Sequence, residues 1–277
     1  MSGDDNFTNA LPAGTPLEGA IFEVFEARTG NIVDRFISSN NGMAVSSPLP
    51  LGRYIIRQVQ APAFYKINPN EMHVEIEFET QIIRITYPNF SANMALTIRV
   101  TGPQQVTQGQ PVVYEIMQMM NESTAPLADF YWRATLPVEA IRADRLITGT
   151  YNQNLRYRVL GTTNTGREIV IADNLSTTRN NVVELAPVHL GLGVNEYIVD
   201  FILYFGQVPA GFMAIENPRI FANVLPTSAT ILPPNMMFAL LVDVGGRVAG
   251  TNEWVLGNNT TAATLWGNNQ RIPQSGW

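Results

Sequence analysis

Few side chains in this sequence are of a type that could do chemistry, and those few do not cluster. There is no cysteine, which excludes disulfides, thiol nucleophiles and thiolate metal sites. The two histidines, His73 and His189, lie far apart in the chain and read as ordinary strand or loop residues. Neither stands near a Gly-x-Ser-x-Gly turn, so Ser–His–Asp catalysis has no framework. Asp129 and Glu139 could pair across a turn, and paired carboxylates carry glycoside hydrolysis. No second pair and no aromatic set at sugar-binding spacing accompanies them, so solvated turn acids are the simpler reading. Asp4 and Asp5 offer the oxygens that calcium takes, but a frayed or interfacial N-terminus explains them more simply. Gly245-Gly246 reads as a hairpin turn and not a phosphate loop, because no helix follows it. The expectation is a protein that is not an enzyme, with no catalytic, cofactor-binding or metal-ligating residue and no cofactor.

Composition agrees. Apolar residues make up 45% of the 277-residue chain, enough for real cores, while only 14% are charged. Ordinary soluble domains carry about 25% charged residues. Asn, Thr, Gln and Ser replace the missing charge, and such a surface lacks the titratable groups of acid–base catalysis. A net charge of −6 argues against nucleic acid, whose binding rests on clustered Lys and Arg. Lys66 is the only lysine. No run of 18 or more apolar residues occurs, so no membrane-spanning helix is expected. The start, Met1-Ser2-Gly3-Asp4-Asp5-Asn6, has neither the basic nor the apolar region of a signal peptide. Six Asn-x-Ser/Thr triplets, at Asn6, Asn89, Asn121, Asn174, Asn258 and Asn259, are expected by chance in so Asn- and Thr-rich a chain.

The elements that would position these residues are strands. Alternation with period two, bounded by Gly, Pro, Asn and Asp, recurs along the chain. Residues 20–27 form one such run. Met72, Val74, Ile76 and Phe78 face a core while His73, Glu75 and Glu77 face water. Residues 81–87 are expected to be the next strand. Residues 138–145, after Pro137, are the best helix candidate. The segment 87–93, with Pro88, is the best boundary between strand-rich blocks. Further strands are expected at 95–101, 112–117, 155–160, 167–172, 197–205 and 220–225. A shorter third block follows Pro226, Pro233 and Pro234, with strands at 237–244, 254–256 and 261–266. It is too short for its own core and should complete the second domain. The fold class is all-β, two tandem β-sandwiches with little or no helix. The expected organisation is an N-terminal arm (1–16), a small sandwich (17–89), a larger one (90–266) and a C-terminal tail (267–277).

Residues 17–87 carry a series of motifs in order: Leu17-Glu18-Gly19-Ala20-Ile21-Phe22, the turn Thr29-Gly30-Asn31, Ser39-Asn40-Asn41-Gly42, Leu49-Pro50-Leu51-Gly52-Arg53-Tyr54, and Ala61-Pro62-Ala63-Phe64-Tyr65. Together they resemble the prealbumin-like, B-type domain of Gram-positive surface proteins and pilins. Phe64 stands where that family usually has glycine. The resemblance implies a question of covalent chemistry. Many relatives carry a self-formed Lys–Asn isopeptide bond, with the lysine before the first strand motif and a buried acid four residues before the Pro of "A-P". Here no lysine precedes Leu17, and the acid position holds Gln58. An amide cannot shuttle the proton that condensation needs. The expectation is no intramolecular isopeptide bond, with Gln58 at the usual acid position as a hydrogen-bonding vestige and Lys66 on the wrong strand.

Residues 94–266 resemble the adjoining Ig-like repeat domain of clostridial-type surface proteins. The carrying residues include Val113-Tyr114-Glu115-Ile116 with Asn121, Pro126 to Trp132, Thr135-Leu136-Pro137, and Phe205-Gly206-Gln207-Val208-Pro209-Ala210-Gly211-Phe212. What this implies is a spacer, adhesive or fibre-forming role. The C-terminal residues Ile272, Pro273, Gln274, Ser275 and Gly276 resemble a degenerate sortase signal, with Ile for Leu and Ser for Thr. The functional expectation is a structural subunit of a bacterial cell-surface or spore appendage. It would self-associate into a fibre through strand addition or docking of a terminal arm. A spore-surface protein, assembled in the mother cell, would need no leader. The alternative is a monomeric adhesin or stalk module binding a host or neighbouring-cell ligand. The expected partners are copies of the chain itself and other surface proteins, with no nucleic acid.

Overall fold

The structure is a computed structural model, which describes residues 1–6 and 9–266. The described chain is almost entirely β-structure. It divides into two compact units. The first comprises Met1–Met94 with Ser123–Pro126 and Val248–Glu253; the second comprises the remainder.

In the first unit the strands are β1 (Ile21–Glu26), β2 (Ile32–Ile37), β3 (Gly52–Gln60), β4 (Tyr65–Lys66), β5 (Met72–Ile76) and β6 (Phe90–Ser91). Four of them make an antiparallel sheet in the order β2-β1-β3-β5, and β4 pairs with β6. The motif residues serve the backbone. Gly42 sits at φ 72° and Gly52 at φ 152°, where a side chain would be strained. Phe22, Val24, Tyr54 and Tyr65 are buried. Each such side chain stabilises the fold by about 1.5–3 kcal/mol relative to exposure.

The second unit opens with β7 (Leu96–Thr101), β8 (Gln105–Val106), β9 (Pro111–Asn121), β10 (Leu127–Thr135), β11 (Ile141–Ile147), β12 (Thr150–Tyr151), β13 (Arg156–Thr163), β14 (Glu168–Ser176) and β15 (Val182–Glu184). After the short helix α1 (Pro187–Leu190) come β16 (Ile198–Val208), β17 (Ala214–Glu216), β18 (Arg219–Val224), β19 (Met237–Val248) and β20 (Trp254–Leu265). A seven-stranded sheet, β14-β13-β16-β10-β19-β20-β8, faces a five-stranded sheet, β15-β11-β18-β9-β7. Their buried faces hold an aromatic core. Phe130, Phe205, Phe212, Tyr151 and Tyr157 contact one another edge-on or stacked, with centroids 4.9–6.3 Å apart. Burial raises the Tyr151 phenol far above its ordinary value, and its hydroxyl is satisfied between Trp132 Nε1 and the Thr148 carbonyl.

Five expectations change. Phe78, expected on the core face with Met72, Val74 and Ile76, lies beyond the end of β5 and is 61% exposed. Residues 138–145 are not a helix: a turn after Pro137 leads directly into β11, whose Ile141, Ala143 and Leu146 are buried. A buried face shared with β18 overrides a weak helical period. Gly245-Gly246 is not a turn. Both glycines lie inside β19, where a Cβ would come within 2.6 Å of the Tyr131 ring and 2.9 Å of Leu127. They are glycine because neighbouring side chains lie on the backbone, and the turn comes later, at Gly250 (φ 81°). The runs 254–256 and 261–266 are one continuous strand, β20, since Gly257-Asn258-Asn259-Thr260 pairs with β19 without a break. Residues 81–87 have strand-like alternation but pair with no strand.

Candidate functional site: a buried amide cluster in the first unit

Gln58 lies on β3, four residues before Pro62, and is 6% exposed. Its Nε2 donates to Asn89 Oδ1 at 2.6 Å, and its Oε1 accepts the backbone N–H of Asn68 at 2.8 Å. Asn68 and Asn89 are also buried. Asn68 Nδ2 donates to the Pro88 carbonyl at 2.9 Å, and the Tyr87 hydroxyl lies 2.8 Å from the Asn68 carbonyl and 2.7 Å from that of Asn70. Burial pushes the Tyr87 phenol up, so it stays a neutral donor. Every group of the cluster is an amide, a hydroxyl or backbone. It hydrogen-bonds without transferring a proton, since no member titrates near neutrality.

The N-terminal arm closes this cluster. Ser2 forms a parallel bridge with Asn89. The Asn89 N–H donates to the Met1 carbonyl at 2.9 Å, and the Gly3 N–H donates to the Asn89 carbonyl at 2.7 Å. Tyr65, itself buried, donates to Ser2 Oγ at 3.0 Å. The Asp4 carboxylate accepts the Ser91 N–H and hydroxyl, and Asp5 accepts the Ala13 N–H at 2.8 Å. These acids serve as local hydrogen-bond acceptors. Residues 1–6 thus lie hydrogen-bonded on their own unit.

Phe64 sits at φ 68°, in the left-handed region that the family's usual glycine would occupy without cost. Its carbonyl accepts Asn6 Nδ2 at 3.0 Å and the Ala92 N–H at 2.8 Å, which hold the strained peptide in place. Lys66 follows on β4, exposed, with Nζ 5.9 Å from the centroid of the Phe90 ring. Its neighbour is that ring, whereas the Gln58 side chain bonds to Asn89 and Asn68.

The remaining sequence candidates stand apart. Asp129 pairs with Tyr204 and Arg247, not with the exposed Glu139. The Tyr204 hydroxyl first, and then Arg247, hold its carboxyl below the usual range. His73 is on β5 in the first unit, 3.9 Å from Glu71, and His189 is on α1 in the second. Among the described residues no group of three metal-ligating side chains converges. Asn6, Asn89 and Asn121 are buried, so three of the six glycosylation triplets are closed to modification in the folded chain. The motif Ile272, Pro273, Gln274, Ser275, Gly276 lies outside the described residues. In the second unit, Asn121 explains why two of the recurring motifs go together. Its N–H donates to the Phe212 carbonyl, its carbonyl accepts the Gly211 N–H, and its Nδ2 donates to the Pro209 carbonyl. Sequence reasoning missed Asn68 and Ser2 and met Asn89 only as one of the chance Asn-x-Ser/Thr triplets; the three are spread over most of the unit.

The first unit is thus a prealbumin-like domain: residues 12–89 match the family model described as SpaA, prealbumin-like fold domain. One curated relative, the trypsin-resistant surface T6 protein of Streptococcus pyogenes serotype M6, is 27% identical over 99 residues. That match spans 36% of this chain and 17% of the relative. Among solved structures, BcpA, the major pilin subunit of Bacillus cereus, is 14% identical with a TM-score of 0.30, covering 91% of this chain and 65% of that one. The RrgB pilus protein of Streptococcus pneumoniae is 13% identical with a TM-score of 0.35, covering 88% and 43%.

Proposed function

We propose that this chain is a structural subunit of a Gram-positive cell-surface appendage, working outside the cell and self-associating into a fibre. The observation that carries this reading is the prealbumin-like SpaA domain at residues 12–89, a domain type whose resemblance is to surface proteins and pilins. The chemistry of the site supports it: the buried cluster around Gln58 is built to hold strands together. The second unit, on this reading, is an Ig-like repeat of clostridial surface-protein type that serves as a spacer.

Cohesion between subunits comes from strand addition. Residues 1–6 are engaged with 87–91 of their own unit, which favours a segment other than the start of the N-terminal arm as the docking element. Within the domain, the amide cluster takes the place of an isopeptide bond, and the intact protein should have the mass of its linear sequence. Purified chain imaged by negative stain across a range of concentrations should show filaments. Isolated rods at every concentration would instead favour the adhesin or stalk module.

A further inference from the structure

An unpaired strand is costly to leave on a protein surface, because its free N–H and C=O groups and apolar side chains are a template for another chain. Among the described residues the fold leaves several. β2 pairs only with β1, but it carries Asp34 and Arg35 together and so has no charge of one sign. Two others have complementary charge. In the first unit, residues 82–86 alternate like a strand, yet their backbone groups make no hydrogen bond among the described residues. Ile82 is 80% exposed, and Ile83 and Ile85 are exposed too. The adjacent edge of β5 is blocked at this end. The Gln81 side chain accepts the Glu77 N–H at 2.7 Å and reaches the Glu75 carbonyl at 3.3 Å, occupying groups that a neighbouring strand would use.

In the second unit the sheet edges can be compared one by one. β8 has two residues and β15 three, too short for a stable ladder. The outer side of β7 is taken by β20: the Val100 N–H donates to Asn259 Oδ1 at 3.0 Å, and Gly257 lies against the Leu96 carbonyl. That leaves β14, which pairs only with β13. Its first half, Glu168-Ile169-Val170-Ile171-Ala172, has no proline or lysine to protect it, and Val170 is 59% exposed. The charges of the two stretches are opposite. Arg84 is the only charged residue between 81 and 87, whereas β14 carries Glu168 and Asp173 and no basic residue.

We infer that residues 82–86 of one copy pair with the free edge of β14 in a second copy. This rests on the fibre reading above and names the surfaces that would build it. The contact joins two different surfaces, so it repeats head to tail, and it builds an open filament where its rotation does not close into a ring. Ladder hydrogen bonds supply the affinity, and Arg84 facing Glu168 or Asp173 sets which edge is chosen.

The chain has no cysteine, so introduced ones report cleanly. Full-length Arg84→Cys and Val170→Cys proteins, mixed under mild oxidation, should give a disulfide-linked mixed dimer faster than either gives alone. Arg84→Glu and Glu168→Arg should each weaken self-association about 10-fold, or about 1.4 kcal/mol, since each exchanges attraction for repulsion. Combining the two should restore it. Ile83→Pro should abolish assembly without changing thermal unfolding, because residue 83 has no ladder bond to lose within its own chain. Filaments indifferent to these variants, or no preference for mixed dimers, overturn the pairing and leave the fibre reading standing. A wild-type chain that stays monomeric at every concentration overturns both.

Discussion

Residue by residue, the buried cluster of the first unit is built from amides, a hydroxyl and backbone groups. Gln58 is the clearest case. Replacing it with Glu removes the donor to Asn89 Oδ1 and buries a carboxyl in its place. Burial raises a carboxyl's folded pKa above its unfolded value of about 4.3. The variant should therefore be closest to wild type below that pH and lose stability as pH rises through it, by about 1–3 kcal/mol at neutrality. Chemical denaturation at pH 3.5 and pH 7 measures this; an equal loss at both would mean that the carboxyl finds partners as good as the amide's. Phe64 tests backbone strain. Phe64→Gly should be more stable than Phe64→Ala by about 1–2 kcal/mol, because only glycine is at ease at φ 68°. Equal stabilities would show that the peptide relaxes. Gln58 was legible in the sequence from its spacing to Pro62. Its partners were not: Asn68, Asn89 and Ser2 come together only when the chain has folded, and nothing in their local sequence marks them.

Among the elements, most strands were legible because alternation with period two is a local signal. The misreadings have a common cause in contacts from distant residues. Residues 138–145 are held extended by β18, and Gly245-Gly246 are explained by Tyr131 and Leu127 from another strand. Gly257 has a similar role, and it closes the two sheets of the second unit along β7. A Cβ there would lie 2.6 Å from the Leu96 carbonyl oxygen. Gly257→Ala should cost about 1–3 kcal/mol, read as a lowered Tm, since one backbone must move away from the other. A Tm equal to wild type would show that β20 is free to shift. Glu196 ties the loop before β16 to the turn between β13 and β14. Its carboxylate accepts both nitrogens of the Arg167 fork at 2.9 Å, the Thr165 hydroxyl at 3.1 Å and the Gly193 N–H at 2.9 Å. The Arg167 bond first, then that of Gly193, holds its carboxyl down at about 2. A depressed folded pKa contributes stability above the ordinary carboxylate value, and this is lost as pH falls from about 4.5 towards 2. Glu196→Gln should therefore flatten the acid limb of the stability curve; a curve parallel to wild type would remove Glu196 from it.

For the whole molecule, the proposed fibre is held by hydrogen bonds and apolar contacts. Filaments boiled in detergent without reductant should run as a single band at the monomer mass. A ladder of resistant multimers would place a covalent bond between subunits, with Lys66 the one lysine able to supply an amine. The prealbumin-like character of the first unit was legible from its ordered motifs. The open edge of β14 was not, because an edge is defined by strands that fail to arrive. The parallel bridge between Ser2 and Asn89 has a mechanical consequence. Tension drawing Met1 and Met94 apart slides the two segments along each other, so that their bonds carry the load together instead of unzipping in turn. A covalent tie at this place would hold until it ruptured for good. Amides that slip can find their partners again once the load is released, so the domain can yield under a sudden pull and recover its strength afterwards.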